Sequence, residues 1–455
     1  MSTEEKRPLA ARDAAVKMLI EVCREGKFSH TVKAKYLIRM EEKRERALAT
    51  RLLEGCLERL LELDYIIDSV SKTPVRKMKP AIAAILRITV YQLKFMDKIP
   101  DGAACNEAVK LARKFGFSGL SGFVNGVARN VARMEKIEYP AKESDPVRYY
   151  SVRYSMPVAL VEQMLSQYGE ELTETVLNAF HEKDAMVSAR VMTHSTSVEN
   201  VLSAFAEAGI TAETGNYSSE AVRIGGMDAP ERLPLFSEGG FYIQDESSMQ
   251  AVLAAGLTGN EQVLDLCAAP GGKTVMAADI LSAKGTGAVK SYDCSEEKVK
   301  LLSENISRCK LKNVTAGCSD ATVFCPEQEA AFDVVLADVP CSGLGIIGKK
   351  PDIKLFMTVE QEAELCTLQK KILANAVRYV KPGGVLVFST CTLNKEENMG
   401  GYMYLKDTCG LVPESLNPYL SEELWTDTTR DGYLQLLPGV HKTDGFFVAR
   451  FRKNK

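Results

Sequence analysis

Two hydrophobic rhythms divide the chain. From residue 8 to 136 apolar positions recur at spacings of three and four, as in Ala14, Val16, Met18, Leu19 and Val22, and again in Ala47, Leu48, Leu52, Leu53, Cys56 and Leu57. That is the period of helices with one buried face. Breaks near Gly26, Thr73-Pro74, Lys79-Pro80, Ile99-Pro100-Asp101-Gly102 and Phe115-Gly116 cut the stretch into about six or seven helices of a compact bundle. Around 137–150 the rhythm dissolves into EYPAKESDPVRYY, which reads as a linker. A helix or two is predicted over 156–180. Short strands and helices then alternate: Ser188–Met192, a helix at 198–208, Ile210–Thr214, Ala221–Ile224 and Gly240–Ile243. That order predicts a small α+β subdomain.

Beyond about residue 247 the pattern becomes short, continuous apolar runs separated by helices. Strands are predicted at 262–266, 287–292, 313–317, 332–338, 384–390 and 444–452, the last entering antiparallel. Regular alternation of this kind predicts a doubly wound, mostly parallel sheet of the Rossmann-like α/β class. The expected domains are therefore an all-α domain over 1–138, an α+β subdomain over 139–245 and an α/β catalytic domain over 246–455.

Charge changes this picture at one end. Residues 1–150 carry a net charge of +9 and the remainder −12, hidden in an overall −3. A basic front end on an acidic body points to a polyanionic partner. The polar N-terminus MSTEEKRPLAARD has no signal-peptide pattern, and no apolar run is long enough to span a bilayer. The 12 cysteines contain no Cys-x-x-Cys pair. Reduced thiols, a cytoplasmic location, no metal and no membrane are the expectation.

The cofactor signal is Val263-Leu264-Asp265-Leu266-Cys267-Ala268-Ala269-Pro270-Gly271-Gly272-Lys273-Thr274. A buried strand runs into a loop of small residues that opens a helix, so a ligand can approach the backbone and meet unpaired N–H groups. The spacing is neither Gly-x-Gly-x-x-Gly nor a phosphate P-loop. Asp293 ends the next strand, where carboxylates accept hydrogen bonds from ribose hydroxyls. Asp320 follows the strand after that and is placed to reach an adenine edge. Each could instead be a turn residue, but several acids after successive strands beside this loop point to S-adenosylmethionine.

Two cysteines carry the chemistry. Cys341 ends the run Val334–Cys341 and Cys391 ends Val385–Cys391, so both reach the carboxyl edge of the sheet, where such folds bind ligands. Carbon 5 of a pyrimidine is a poor nucleophile until a thiolate adds to carbon 6 and makes it an enamine carbon. Two thiols beside a methyl donor suit that covalent route. Asp338, before Pro340-Cys341, is the candidate hydrogen-bond partner at N3 of a cytosine. Cys267, Cys294, Cys309, Cys318, Cys325, Cys366 and Cys409 read as ordinary packing or surface thiols.

CAAPGGKT, DVPCSGLG, KPDIK and STCT followed by Glu396-Glu397-Asn398 resemble the RNA cytosine-5 methyltransferases. The resemblance implies that Cys391 is the nucleophile and that Cys341 assists product release. It also implies that Cys267, Ala268, Ala269, Pro270, Gly271, Gly272, Lys273, Asp293, Asp320 and Asp338 contact S-adenosylmethionine or the target base. In the front domain, Arg46–Leu52, Leu86–Leu93 and Phe123–Asn130 resemble the helical RNA-binding domain of the antitermination factor NusB. The combination is similar to the bacterial 16S rRNA cytosine-5 methyltransferases of the Sun/RsmB type, whose target is cytosine 967. That implies 16S rRNA as partner, no DNA, and a monomer. The middle segment Phe241–Ser248 fits the same pattern. Val339 and Gly348 depart from it, the latter standing where an arginine is common. Lys349, Lys350 and Lys354 still form a basic loop there. The competing readings are the same chemistry on tRNA or 23S rRNA, and a non-catalytic RNA-binding assembly factor that kept the fold.

Overall fold

The computed structural model describes residues 9–182, 186–227 and 229–455. The polar run through Pro8 lies outside the described residues. The chain forms two units, one of residues up to His181 together with Ile347–Phe356, the other of the remainder.

The first unit is helical: α1 (Ala11–Glu25), α2 (Ser29–Leu37), α3 (Lys43–Glu58), α4 (Leu60–Val70), α5 (Pro80–Phe95), α6 (Asp101–Lys114), α7 (Ser121–Arg133), α8 (Pro146–Arg153) and α9 (Val158–His181). The punctuation anticipated from sequence is where the helices stop and start. Gly26 closes α1 in the left-handed region at φ 69°, and Pro80 opens α5 at its first position. The apolar face of α1 (Ala14, Ala15, Met18, Leu19, Val22) packs with Leu52, Leu53 and Cys56 of α3 and Ile85 and Ile88 of α5 in one buried cluster. The helices over 146–181, grouped from sequence with the middle subdomain, fall in this first unit.

In the segment Ile347–Phe356, expected as a basic loop, Lys349 and Lys350 are exposed but Asp352 and Lys354 are not. Asp352 is buried and accepts a hydrogen bond from the Ser29 backbone N–H at 2.8 Å. Lys354 is 3% exposed and donates to the Glu58 carbonyl at 2.6 Å. Leu355 and Phe356 pack against the helical core. Burial pulls the Lys354 amine down to about 7. In the unfolded chain the amine keeps its proton to the ordinary lysine range, so between these limits the unfolded state binds more protons and stability rises with pH. Lys354→Met should remove that contribution. From pH 7 to 9.5 the wild type should gain about 3 kcal/mol relative to the variant, read by urea unfolding at both pH values. Parallel pH profiles would show that Lys354 stays charged in the folded protein.

The second unit runs β1 (Met186–Val191), α10 (Val198–Glu207), β2 (Ala212–Thr214), β3 (Ala221–Gly225), β4 (Phe241–Ile243), α11 (Glu246–Leu253), β5 (Gln262–Asp265), α12 (Gly272–Lys284), β6 (Ala288–Asp293), α13 (Glu296–Arg308), β7 (Val314–Cys318) and β8 (Phe332–Asp338). The short α14 (Ile353–Phe356) belongs to the first unit. The second unit resumes with α15 (Val359–Tyr379), β9 (Val380–Thr390), α16 (Lys395–Met403), β10 (Val412–Pro413), α17 (Asp427–Arg430), β11 (Tyr433–Leu436) and β12 (Phe446–Arg452).

Strands β1 to β4 form an antiparallel sheet ordered β2-β3-β1-β4, covered by Val201 and Phe205 of α10. The large sheet is ordered β10-β12-β9-β8-β5-β6-β7, with β11 paired to β12. Strands β9, β8, β5, β6 and β7 are parallel, and β12 joins β9 antiparallel. The uninterrupted apolar runs of β8 and β9 follow from burial on both faces. Cluster residues Val334, Leu336, Val385 and Val387 face one side, and Val335, Ala337, Leu386 and Phe388 the other. In register, Asp338 stands beside Ser389, so the chain leaves both strands at one edge. The short β10 and β11 were not anticipated. Among the described residues no helix is long and apolar enough to cross a membrane.

Candidate active site

The loop after β5 is shaped by glycine. Gly271 sits at φ 118°, and a Cβ there would stand 2.8 Å from Leu302 Cδ1. The positive φ by itself disfavours a side chain. Helix α12 begins at Gly272 with no side-chain cap among the described residues, leaving its first N–H groups for a ligand. Beneath the loop Asp265 is fully buried. Its Oδ2 accepts the Thr274 hydroxyl at 2.7 Å, and burial raises its acidity range to about 6. Cys267, Ala268, Ala269, Pro270, Gly272, Lys273 and Asp338 line a cavity whose opposite wall is Tyr242, Gln244 and Ser248. Burial pushes the Cys267 thiol far up, which suits a wall residue rather than a nucleophile.

The other expected cofactor residues divide. Asp293 is buried at the end of β6 and braces the loop: Oδ2 accepts the Ala269 N–H at 3.3 Å and Oδ1 the Ser295 N–H at 3.2 Å. Asp320 is exposed, and its Oδ1 takes the N–H and hydroxyl of Thr322 at 2.8 and 2.7 Å. That is the turn chemistry weighed for it from sequence; neither Asp293 nor Asp320 is among the residues that line the cavity.

The two thiols meet. Cys341 Sγ lies 3.4 Å from Cys391 Sγ, both half-buried. The hydrogen bond with Cys391, reinforced by burial, holds the Cys341 thiol protonated far above the range of a free thiol. Asp338 joins the thiols to the cofactor cavity. Its Oδ2 accepts from Lys273 Nζ at 2.7 Å and its Oδ1 from Ser389 Oγ at 2.7 Å. Lys273 also donates to Ser248 Oγ at 3.0 Å and lies 5.2 Å from the Phe446 ring centre. Lys273, expected as a cofactor contact, is therefore held by Asp338, which lines the same cavity.

A second set of residues holds the cysteine loops and escaped sequence reasoning. The buried Glu397 accepts the Ser342 N–H at 3.0 Å, the Ser342 hydroxyl, and Gln369 Nε2 at 2.7 Å. Gln369 also donates to the Pro340 carbonyl at 2.9 Å. Asn398 takes the Thr390 hydroxyl on Oδ1 and gives Nδ2 to the Thr392 carbonyl at 3.0 Å. Consecutive residues in the first turn of α16 thus grip the two loops, which also meet each other where Ser342 Oγ and Thr392 Oγ1 lie 2.6 Å apart. The Gly345 N–H donates to the Cys391 carbonyl at 3.0 Å, and a Cβ on Gly345 would meet the Gly445 carbonyl oxygen at 2.1 Å. The only advance signal was Glu396-Glu397-Asn398 trailing the Thr-Cys motif.

Comparisons with known proteins agree along the chain. Family models match residues 9–133 as the NusB family, 156–228 as the ferredoxin-like domain of RsmF/B-like methyltransferases, and 252–452 as 16S rRNA methyltransferase RsmB/F. The chain is 36% identical over 453 residues to a probable ribosomal RNA small subunit methyltransferase B of Bacillus subtilis, covering 98% of this chain and 99% of that one. It is 30% identical to ribosomal RNA small subunit methyltransferase B of Proteus mirabilis, covering 97% and 98%. A solved methyltransferase homologue from Pyrococcus horikoshii superposes with a TM-score of 0.57 at 26% identity, covering 68% of this chain and 99% of that one. With its NusB-like domain joined to a Rossmann-like catalytic domain, the chain belongs to the RsmB/F family of S-adenosylmethionine-dependent ribosomal RNA small subunit methyltransferases.

Proposed function

We propose that this methyltransferase modifies carbon 5 of a cytosine in 16S rRNA through a covalent bond between Cys391 and carbon 6 of the base, and that cytosine 967 is the target. The observation that carries the reading is the pair of thiols 3.4 Å apart beside Asp338, because methylation of an amine or hydroxyl needs no thiol.

The residues that would hold the cofactor are the Cys267–Lys273 loop, Asp293 and the wall of the cavity. The helix N-terminus and the side-chain-free approach at Gly271 and Gly272 fit it. When bound, S-adenosylmethionine supplies an electrophilic methyl group. Cys391 Sγ, as the thiolate, adds to carbon 6 while Asp338, carrying a proton, donates it to N3, which moves electron density onto carbon 5. Carbon 5 takes the methyl group, a base removes its proton, and the Sγ–C6 bond breaks as the ring regains aromaticity. Cys341 keeps its proton at the side of Cys391, placed to assist that release. Asp320, held by Thr322 in the turn after β7, would reach the adenine edge of the cofactor. The target base is extruded from its stack to reach the edge of the sheet, and binding weakens as salt rises.

The test is incubation of the protein with undermethylated 16S rRNA and labelled donor, followed by bisulfite sequencing. A single protected cytosine, at 967, is expected. Label incorporated without any 5-methylcytosine would overturn the chemistry. Protection confined to tRNA or 23S rRNA would overturn the substrate.

A further inference from the structure

The cavity holds one polar side chain to which neither the glycine loop nor the thiol pair gives a role. Gln244 is 6% exposed, and among the described residues neither its Oε1 nor its Nε2 has a hydrogen-bond partner. A buried primary amide left unpaired on both atoms costs free energy, and such groups are rare in folded proteins. Its backbone is fixed, with the N–H donating to the Ser188 carbonyl at 3.2 Å in continuation of β4. The side chain lines the cavity beside Gly272, where a Cβ would lie 3.5 Å from Gln244 Cδ.

We propose that Gln244 is a cofactor-binding residue that reads the amino-acid end of S-adenosylmethionine, its Nε2 donating to the α-carboxylate and its Oε1 accepting from the α-ammonium. Three placements separate this end from the nucleoside. Tyr242 donates to the Pro270 carbonyl at 3.2 Å, Gln244 sits over Gly272, and Ser248 meets Lys273. Strand β4 and helix α11 therefore follow the loop from Pro270 to Lys273, towards Asp338. Asp293, the ribose candidate, braces the loop from the β6 side at Ala269. Gln244 instead faces the first turn of α12, whose uncapped N–H groups and dipole favour an anion. The carboxylate is the cofactor's only anionic group. A carboxamide, with a donor and an acceptor side by side, complements an adjacent carboxylate and ammonium.

The test uses the full-length protein, two ligands and no RNA, so its failure is distinct from failure of the cytosine reading. Isothermal titration gives affinities for S-adenosylhomocysteine, which carries the amino-acid end, and for 5′-methylthioadenosine, which lacks it. Gln244→Met should weaken S-adenosylhomocysteine about 10- to 100-fold, the range for hydrogen bonds to charged groups. Affinity for 5′-methylthioadenosine should stay within about twofold of wild type. The ligand-free melting temperature should hold or rise, because an unpaired buried amide has been replaced by an apolar side chain of similar length. Gln244→Glu, which keeps the shape and an acceptor but loses the donor, should show the same selective loss should the methionine variant not fold. Equal weakening of both ligands, or of neither, would overturn the assignment.

Discussion

Cys341→Ala is expected to leave the protein covalently attached to its RNA. In the proposed cycle Cys391 forms the Sγ–C6 bond, and the variant can still form it and still receive the methyl group. What it lacks is the neighbouring thiol 3.4 Å from Cys391, whose proton is held firmly by the hydrogen bond with Cys391 and by burial. The adduct should persist through denaturing electrophoresis as a band carrying both protein and labelled RNA, and turnover should fall by roughly 10³-fold. Cys391→Ala should give no adduct and lose at least about 10⁴-fold in methyl transfer, since removing a nucleophile removes the route rather than one contribution to it. Neither substitution touches the loop anchors on Glu397 and Asn398, so both variants should bind RNA as the wild type does. An adduct trapped by Cys391→Ala in place of Cys341→Ala would reverse the two roles.

Sequence reading reached the catalytic sheet because the apolar runs of β8 and β9 are dictated by burial on both faces, whatever lies elsewhere in the chain. It reached the cysteines because a strand's end is also the edge of the sheet. It stopped where tertiary partners decide. Lys354 read as part of a basic loop, yet it is buried against a carbonyl 296 residues away, and Asp352 beside it is buried against an amide 323 residues away. No local pattern encodes such pairings. Asp320 was read two ways because an acid after a strand serves a ligand and a turn equally well. The Thr322 side chain, which settles its hydrogen bonding here, belongs to the turn. Gln244 stood within the Phe241–Ser248 segment that fits the family pattern but was given no role there, since an amide is conspicuous only once its surroundings are known to leave it unpaired. The grip of Glu397 and Asn398 on the two cysteine loops was half legible: the motif was visible, and its direction was not.

Asp338→Asn should cost about 10²- to 10⁴-fold in turnover, the range for a positioned acid–base group, while leaving the fold intact. The substitution is isosteric, and Ser389 Oγ, which donates to Oδ1 at 2.7 Å, can still donate to the amide oxygen. The loss falls on the other side. Oδ2 now accepts from Lys273 Nζ at 2.7 Å, and an amide nitrogen there would place a donor against an ammonium. Lys273 should swing away, giving up its alignment with Ser248 and Phe446 and leaving a positive charge uncompensated beside the target base. Asp338→Asn should therefore lower kcat and also raise the KM for the methyl donor, because Asp338 and Lys273 both line the cofactor cavity. Double substitution with Lys273→Met provides the decisive measurement. Removing the ammonium abolishes the donor–donor clash, so the double variant should lose less than the product of the two single losses. Strictly multiplicative losses would mean that Asp338 and Lys273 act independently, and that the 2.7 Å pair is not what holds the acid against the base.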